Sequence, residues 1–404
     1  MPSTSFEFAC NVRLASGIGR RHAVGDDLAG LAVKRTLIVA SERFCGTAHF
    51  EDIVTGLKDH SELVGVWSDV KPQSSLDAVE GLAAQLRDTN AEGVIVVGGG
   101  SAICLTKFAV AVACENKPPR SLVWGYNGAT RELTIPKLAA PKLPIIAMPT
   151  TSGSAAETNK YGAVRDHVTG RRIGVRDAKL VPKVAILDPE LTVSMDAELT
   201  AGSGANALAH CIETLYSVDA NPAASAVALD AARLIITHLP RCVAEPNDLE
   251  ARSMMQLATA LSGIALDNAM IGVHHAFCHA LACGRGMPHG TANYIMLPHA
   301  LRYNAEGSDK ARAALIEFGL ATDLLSAEEH RSLPSVEASG RVIDRLELWL
   351  KNLGAPSRIR DTGHIRHEEL PTLAEDVFTD QCIPYNPRRV EDSRELTRVL
   401  EAAW

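Results

Sequence analysis

"GVIVVGGGSAICLTKFAVAVAC" (93–114) is the stretch on which the fold turns. A β-branched run ends in three glycines, Gly98, Gly99 and Gly100, and Ser101 then opens a stretch that reads as an amphipathic helix. A continuous apolar run suits a strand covered on both faces, as parallel strands between crossover helices are. Glycine lets backbone approach a ligand closely, and the free N–H groups at a helix start carry partial positive charge. Strand, glycine turn and helix together make a phosphate cradle, with Ser101 expected at the N-cap. The turn is not GxGxxG, so the usual dinucleotide fingerprint is absent and a simple tight turn is the competing reading.

Outward from this unit the same alternation recurs. "RTLIVAS" (35–41), "VGVWSDV" (64–70), "PIIAMPT" (144–150) and "VAILD" (184–188) read as further strands, with helical stretches such as "SLDAVEGLAAQLRDTN" (75–90) between them. A second polar turn, "MPTTSGSAAETNKYG" (148–162), follows one of these strands. Its small hydroxyl residues Thr150, Thr151 and Ser154 suit the other side of a nucleotide. After "DPELT" (188–192) the period changes. "ALAHCIETLYS", "ASAVALDAARLIITHL", "ARSMMQLATALSGIAL" and "RVIDRLELWLKNLG" repeat apolar residues at helical spacing, and no convincing strand follows residue 199. The expected architecture is an α/β N-terminal domain with a Rossmann-like parallel sheet (1–190) and an all-α C-terminal domain (191–404).

The totals set bounds. A chain of 404 residues, 46% hydrophobic and 22% charged, has room for two cores. Net charge is −8 and the cations are scattered, so no basic face for nucleic acid is expected. The first residues lack the apolar run of a secretory signal, and no stretch nears the ~20 apolar residues of a membrane span. Nine cysteines without a CxxC pair are expected to be reduced thiols in a cytoplasmic protein.

Five of the fourteen histidines lie in 206–217 and 273–290. On a helix, residues four apart share a face. Asn206 with His210 is one such pair, His275 with His279 another, and His289 sits in "MPHG" at the expected start of the next helix. Imidazoles converging from different segments suit a divalent metal. Hydrogen-bonded core histidines are the alternative, and His274 is read as structural or pocket-lining.

These motifs taken in order resemble the iron-containing (group III) alcohol dehydrogenase family, which includes the maleylacetate reductases. "GGGSAICLTK" is similar to the family's GGGSxxDxAK and "MPTTSGSAAE" to its PTTxGTGSE. "DPELT" matches at the domain junction and "GANALAHCIETLYS" resembles TGxDALxHAIExYxS. "VHHAFCHALACGRGMPHGTANYIMLPH" resembles HAMAHxLGxxxxxPHGxANAxLLPH, and "NPR" (386–388) recurs near the end. The resemblance implies a dehydroquinate synthase-like architecture, with one Fe2+ or Zn2+ held between the domains by Asn206, His210, His275 and His289. It implies a cradle for NAD(H) made by Gly98, Gly99, Gly100, Ser101, Thr150, Thr151 and Ser154. His275 and His279 become the catalytic candidates, with His279 beside the nicotinamide and relaying the proton. A homodimer or larger assembly is also implied.

Departures from the pattern carry information. The family's metal-binding aspartate falls at Asn206, a neutral and weaker donor, so the ion is held by three histidines with an amide or water, held weakly, or absent. Cys104 stands at the cradle's aspartate, and Ala155 and Ala156 at its Gly-Ser. Ser41 replaces the carboxylate that often repels a 2′-phosphate, with Glu42 and Arg43 beside it, so NAD(H) is expected with NADP(H) tolerated. The expected reaction is reversible hydride transfer between nicotinamide and a small alcohol, aldehyde or oxo-acid. Arg285 and Lys160 suggest an anionic substrate such as an oxo- or hydroxy-acid, maleylacetate among them. A cyclase of the dehydroquinate synthase type and a non-catalytic nucleotide-binding relative are the alternatives.

Overall fold

The computed structural model describes residues 5–283, 285–354 and 356–404. Among these, ten strands precede residue 188: β1 (Arg13–Ser16), β2 (Arg35–Ala40), β3 (Glu62–Trp67), β4 (Gly93–Gly98), β5 (Gly125–Asn127), β6 (Glu132–Thr134), β7 (Ile145–Pro149), β8 (Tyr161–Arg165), β9 (Arg172–Arg176) and β10 (Val184–Leu187). Six form one parallel sheet in the order β1-β10-β7-β4-β2-β3.

Alternation along the strands builds the two faces of this sheet. Leu37, Val39, Val94 and Val96 pack with Leu82, Leu86, Ile103 and Phe108 on one side. Ile38, Ala40, Ile95 and Val97 pack with Val24, Leu28, Ile53 and Leu57 on the other. Both faces are covered, which is why β4 can be apolar at every position. The helix after the glycines, Gly100–Glu115, is buried from Ala102 to Val112 except at Cys104. It is therefore a central helix rather than the amphipathic one expected.

Three strand pairings were not legible in the sequence: β1 on the sheet edge, the hairpin β5–β6, and the antiparallel hairpin β8–β9. The last springs from the polar turn 150–160 and lies on the central helix, where a Cβ on Gly162 would meet the Cys104 carbonyl at 2.9 Å. Lys107 fixes this turn. Its buried ammonium donates to the carbonyls of Ala156, Asn159 and Tyr161 and to Asn159 Oδ1.

Helices fill the rest, beginning with Ala197–Tyr216, whose first turn is capped by Asp196 accepting from Leu199 N at 2.8 Å. Helix Leu249–Ala269 docks on the sheet's C-terminal edge, where Gln256 Nε2 donates to the carbonyls of Pro149 (3.3 Å) and Asp188 (3.2 Å). No described helix is long and apolar enough to cross a membrane. All nine cysteines are free thiols.

Candidate active site

The glycine turn forms the first wall of the cleft. Gly99, not Ser101, is the N-cap of helix Gly100–Glu115, and no side chain caps it. Ser101 lies inside the first turn, where its Oγ accepts from Gln73 N at 3.3 Å. The reason lies in the backbone: the chain becomes helical at Gly100, two residues earlier than a cap at Ser101 requires. The helix start is left without a competing side-chain acceptor or a first-turn carboxylate, as an anion site needs. The second polar turn closes against it. A Cβ on Gly99 would lie 3.1 Å from Thr151, and one on Gly100 would lie 2.7 Å from Ser154. Thr150 N donates to Gly98 O at 3.2 Å. Ser41 directly follows β2, one strand over, and its Oγ caps the short helix after it by accepting from Phe44 N.

The helical half supplies the other wall. Helix Val273–Ala282 starts without a cap of its own; two remote residues tie it down. Glu213 Oε1 accepts from Gly272 N (3.0 Å) and His274 N (3.1 Å), and Asn386 Oδ1 accepts from Val273 N (3.1 Å). A carboxylate at a helix N-terminus is stabilised by the aligned peptide dipoles. This anchoring sets the direction of His275 and His279. The helix His289–Gly307 begins at His289 itself, bringing the last imidazole to the cleft.

The rings gather. His210 stacks on His275 with centroids 4.6 Å apart, His289 lies 6.2 Å from His275, and His279 lies 5.9 Å from His289 and 6.1 Å from His275. Burial, above all, lowers the affinity of His210, His279 and His289 for a second proton, with neighbouring imidazoles and Arg172 acting in the same direction. His275 is pushed down to about 4 by burial, against the pull of Glu213. Four neutral imidazoles therefore face one cleft near neutral pH. That is the form in which imidazole binds a cation.

Two atoms test the fit of a metal directly. Glu213 Oε2 takes His275 Nδ1, which places the ring proton there and leaves the Nε2 lone pair free. That Nε2 lies 3.0 Å from Asn206 Oδ1. The amide cannot turn round, because its Nδ2 donates to Gly153 O at 2.8 Å. Two acceptors held face to face repel unless a cation or a proton is shared between them. His210 Nδ1 is also buried without a partner. The residues present fit a divalent ion, though not a closed cage. Among the described residues, three His, Cys, Asp or Glu ligating atoms lie mutually within 4.8 Å only in Glu213–His274–His275 and His279–Asp380–Cys382.

The remaining expectations meet mixed outcomes. His274 is buried, with Nε2 3.2 Å from Asn293 O, a structural placement. Arg285 pairs with Asp376 at 3.0 Å and donates to Ala280 O; Lys160 is committed to Asp267. Neither is available to a substrate anion. Sequence reasoning missed Glu213, which lies inside the quoted histidine motif, three residues after His210. It also missed Asp380, just before "NPR", whose Oδ2 accepts from His279 Nδ1 at 2.9 Å. Arg172, on β9, gave no signal at all; its Nη1 donates to His279 Nε2.

A doubly covered parallel sheet with a glycine cradle, facing buried imidazoles on helices, is the arrangement of a nucleotide-dependent oxidoreductase. Residues 11–189 match the family described as iron-containing alcohol dehydrogenase, and residues 200–404 match the C-terminal part of the Fe-containing alcohol dehydrogenase family. The chain belongs to the iron-containing alcohol dehydrogenase family. It is similar to the NAD-dependent methanol dehydrogenase of Bacillus methanolicus, 29% identical over 96% of this chain and 98% of that one. It is likewise similar to maleylacetate reductase 1 of Cupriavidus pinatubonensis, 28% identical over 96% and 94%. The solved structure of a 1,3-propanediol oxidoreductase superposes with a TM-score of 0.87 at 27% identity, covering 99% of this chain and all of that one.

Proposed function

We propose that this chain catalyses reversible hydride transfer between NAD(H), with NADP(H) accepted, and a small alcohol or carbonyl compound. The cleft lies between an α/β unit (1–190) and a helical unit (191–404). One continuous path of contacts supports the reading. Ser154 presses on Gly100 in the cradle, the neighbouring Gly153 carbonyl takes the Asn206 amide, and Asn206 Oδ1 faces His275 Nε2. A nucleotide on the glycine turn and a carbonyl among the imidazoles are thereby brought to one place, which is what hydride transfer requires.

Asn206 Oδ1, His210, His275 and His289 would hold the divalent ion, which when bound supplies Lewis-acid polarisation of the substrate oxygen. The chain's own groups do the rest. Glu213 keeps the proton of His275 on Nδ1 and fixes its ring. Asp380 does the same for His279, which holds its Nε2 as the acceptor of Arg172 Nη1 beside the reacting site. The buried faces of both helices keep bulk water from the reacting carbon.

The test is the absorbance of NADH in the presence of a panel of aldehydes and oxo-acids, before and after adding iron or zinc. Net consumption, increased by metal, is expected. Product formed with no net change in NADH would instead indicate a cyclase, and nucleotide binding without turnover a binding protein.

A further inference from the structure

Hairpin β8–β9 carries a charge arrangement that hydride transfer leaves unused. Arg165 and Arg172 are direct partners across the two strands. Directly opposed residues of an antiparallel pair project from the same face, and like charges so placed repel. Neighbouring cations are engaged: Arg176 lies among aromatic rings and donates to Tyr385 Oη, and three others have carboxylates. Arg120 takes both oxygens of Asp166 at 2.7 Å, while Arg171 and Arg285 share Asp376. Among the described residues, no carboxylate lies within ion-pairing distance of Arg165 or Arg172. Arg165 Nε is buried without a partner, and the one side-chain contact of Arg172 is its donation to the neutral His279.

The place matters as much as the charge. Arg165 N donates to Ser74 O at 2.9 Å, and the adjoining Gln73 bridges the two walls of the cleft. Its backbone N–H reaches Ser101 Oγ in the cradle, and its side chain donates to Ala282 O, one helical turn beyond His279. Cys283 feels the positive field of Arg165, Arg172 and Arg285 together. Two half-buried guanidiniums, opposed and unneutralised, thus flank the imidazole cleft. Holding them there costs free energy that a bound anion would return.

We propose that Arg165 and Arg172 form an anion subsite for the oxyanion group of a short-chain carbonyl substrate, such as the carboxylate of an oxo-acid. The assignment rests on the hydride-transfer reading and supplies its substrate class. It replaces Arg285 and Lys160, which are occupied elsewhere. Because Arg172 touches His279, the anion is held beside the group that faces the reacting carbon, so the two ends of the substrate are separated by only a few carbon atoms.

The competing source of the same chemistry is a cofactor phosphate, and the experiment separates them. kcat/KM is measured for succinic semialdehyde and for neutral butanal, and KM for NADH alongside, in the native protein, Arg165→Gln and Arg172→Gln. The native protein is expected to prefer the anionic aldehyde, and each variant to reduce the ratio of the two efficiencies ~10- to 100-fold, the loss typical of one hydrogen bond to a charged group. An unchanged ratio overturns the proposal. So does a parallel loss on both aldehydes accompanied by a raised KM for NADH, which would assign the arginines to the cofactor. Calorimetric titration of succinate into the native protein and Arg165→Gln reads the subsite without turnover. Binding that is weakened by the substitution supports it, and no binding to the native protein removes it. Failure to reduce any aldehyde, with succinate binding intact, would instead strike the dehydrogenase reading and leave the subsite standing.

Discussion

The two walls of the cleft are built by opposite means. On the α/β side the contact surface is backbone: an uncapped helix start, glycines pressed against Thr151 and Ser154, and buried side chains such as Lys107 whose task is to hold carbonyls in place. On the helical side the contact surface is side chains, and the backbone is only their mount. Glu213 and Asn386 fix one helix so that four imidazoles and an amide can converge. A backbone wall reads shape and tolerates little added volume. A side-chain wall reads charge and can be retuned residue by residue.

Gly153 is where the walls join, and substitution there should have the largest effect. A Cβ would meet the Ser203 carbonyl oxygen at 2.2 Å, and the same residue's own carbonyl holds Asn206. Gly153→Ala has no flexible neighbour to displace, so a destabilisation of ~3 kcal/mol is expected, together with loss of NADH turnover. Gly340→Ala is the control: a helical position with open space at Cβ, where a gain of up to ~1 kcal/mol is expected. Denaturant unfolding of both variants checks the pair. A tolerated alanine at 153 would show that the seam is loose.

Asn206→Asp tests the side-chain wall. Restoring a carboxylate adds a charged donor where His275 Nε2 already points, so metal retained after dialysis, measured by elemental analysis, should rise at least ~10-fold. Without metal the variant loses the donor to Gly153 O and sets a carboxylate against that carbonyl, so its apo form should melt lower than the native protein. Equal metal content in the two proteins would mean that the imidazoles do not form the ion's site.

The two walls also differed in how far the sequence disclosed them. β2, β4, β7 and β10 were legible because both their faces are buried, which writes an unbroken apolar run, and the edge strand β3 because its valines and tryptophan favour an extended chain although it is half-exposed. The edge strand β1 and hairpin β8–β9 were not, since "RLAS" and "YGAVR" to "RIGVR" are short and partly polar. Histidines at helical spacing announced the cleft. Their anchors did not: Glu213 and Asp380 act from second position through one bond each, and Arg172 reaches the site only because a hairpin folds back over the central helix. Placing Ser101 at the cap failed for a local reason, because glycine at 99 already meets the backbone's need there.

The smallest effect is expected at Glu157, and it probes the backbone wall's one unused charge. Both carboxylate oxygens are buried without partners, and burial pushes the group up to about 7 against the opposing pull of Lys107. The unfolded chain releases this proton near the ordinary value of about 4.3. A raised folded value means that the protonated form favours folding below that pH and that the benefit is lost as pH rises through 7. Replacing the acid with its neutral isostere removes the loss. Glu157→Gln should therefore exceed the native protein in stability by a margin that is small at pH 5 and grows towards pH 8, read as a widening difference in denaturant midpoints. A constant difference across that range would mean that the carboxylate is already neutralised in the native fold, and that the cradle wall contains a cation or proton donor for it after all.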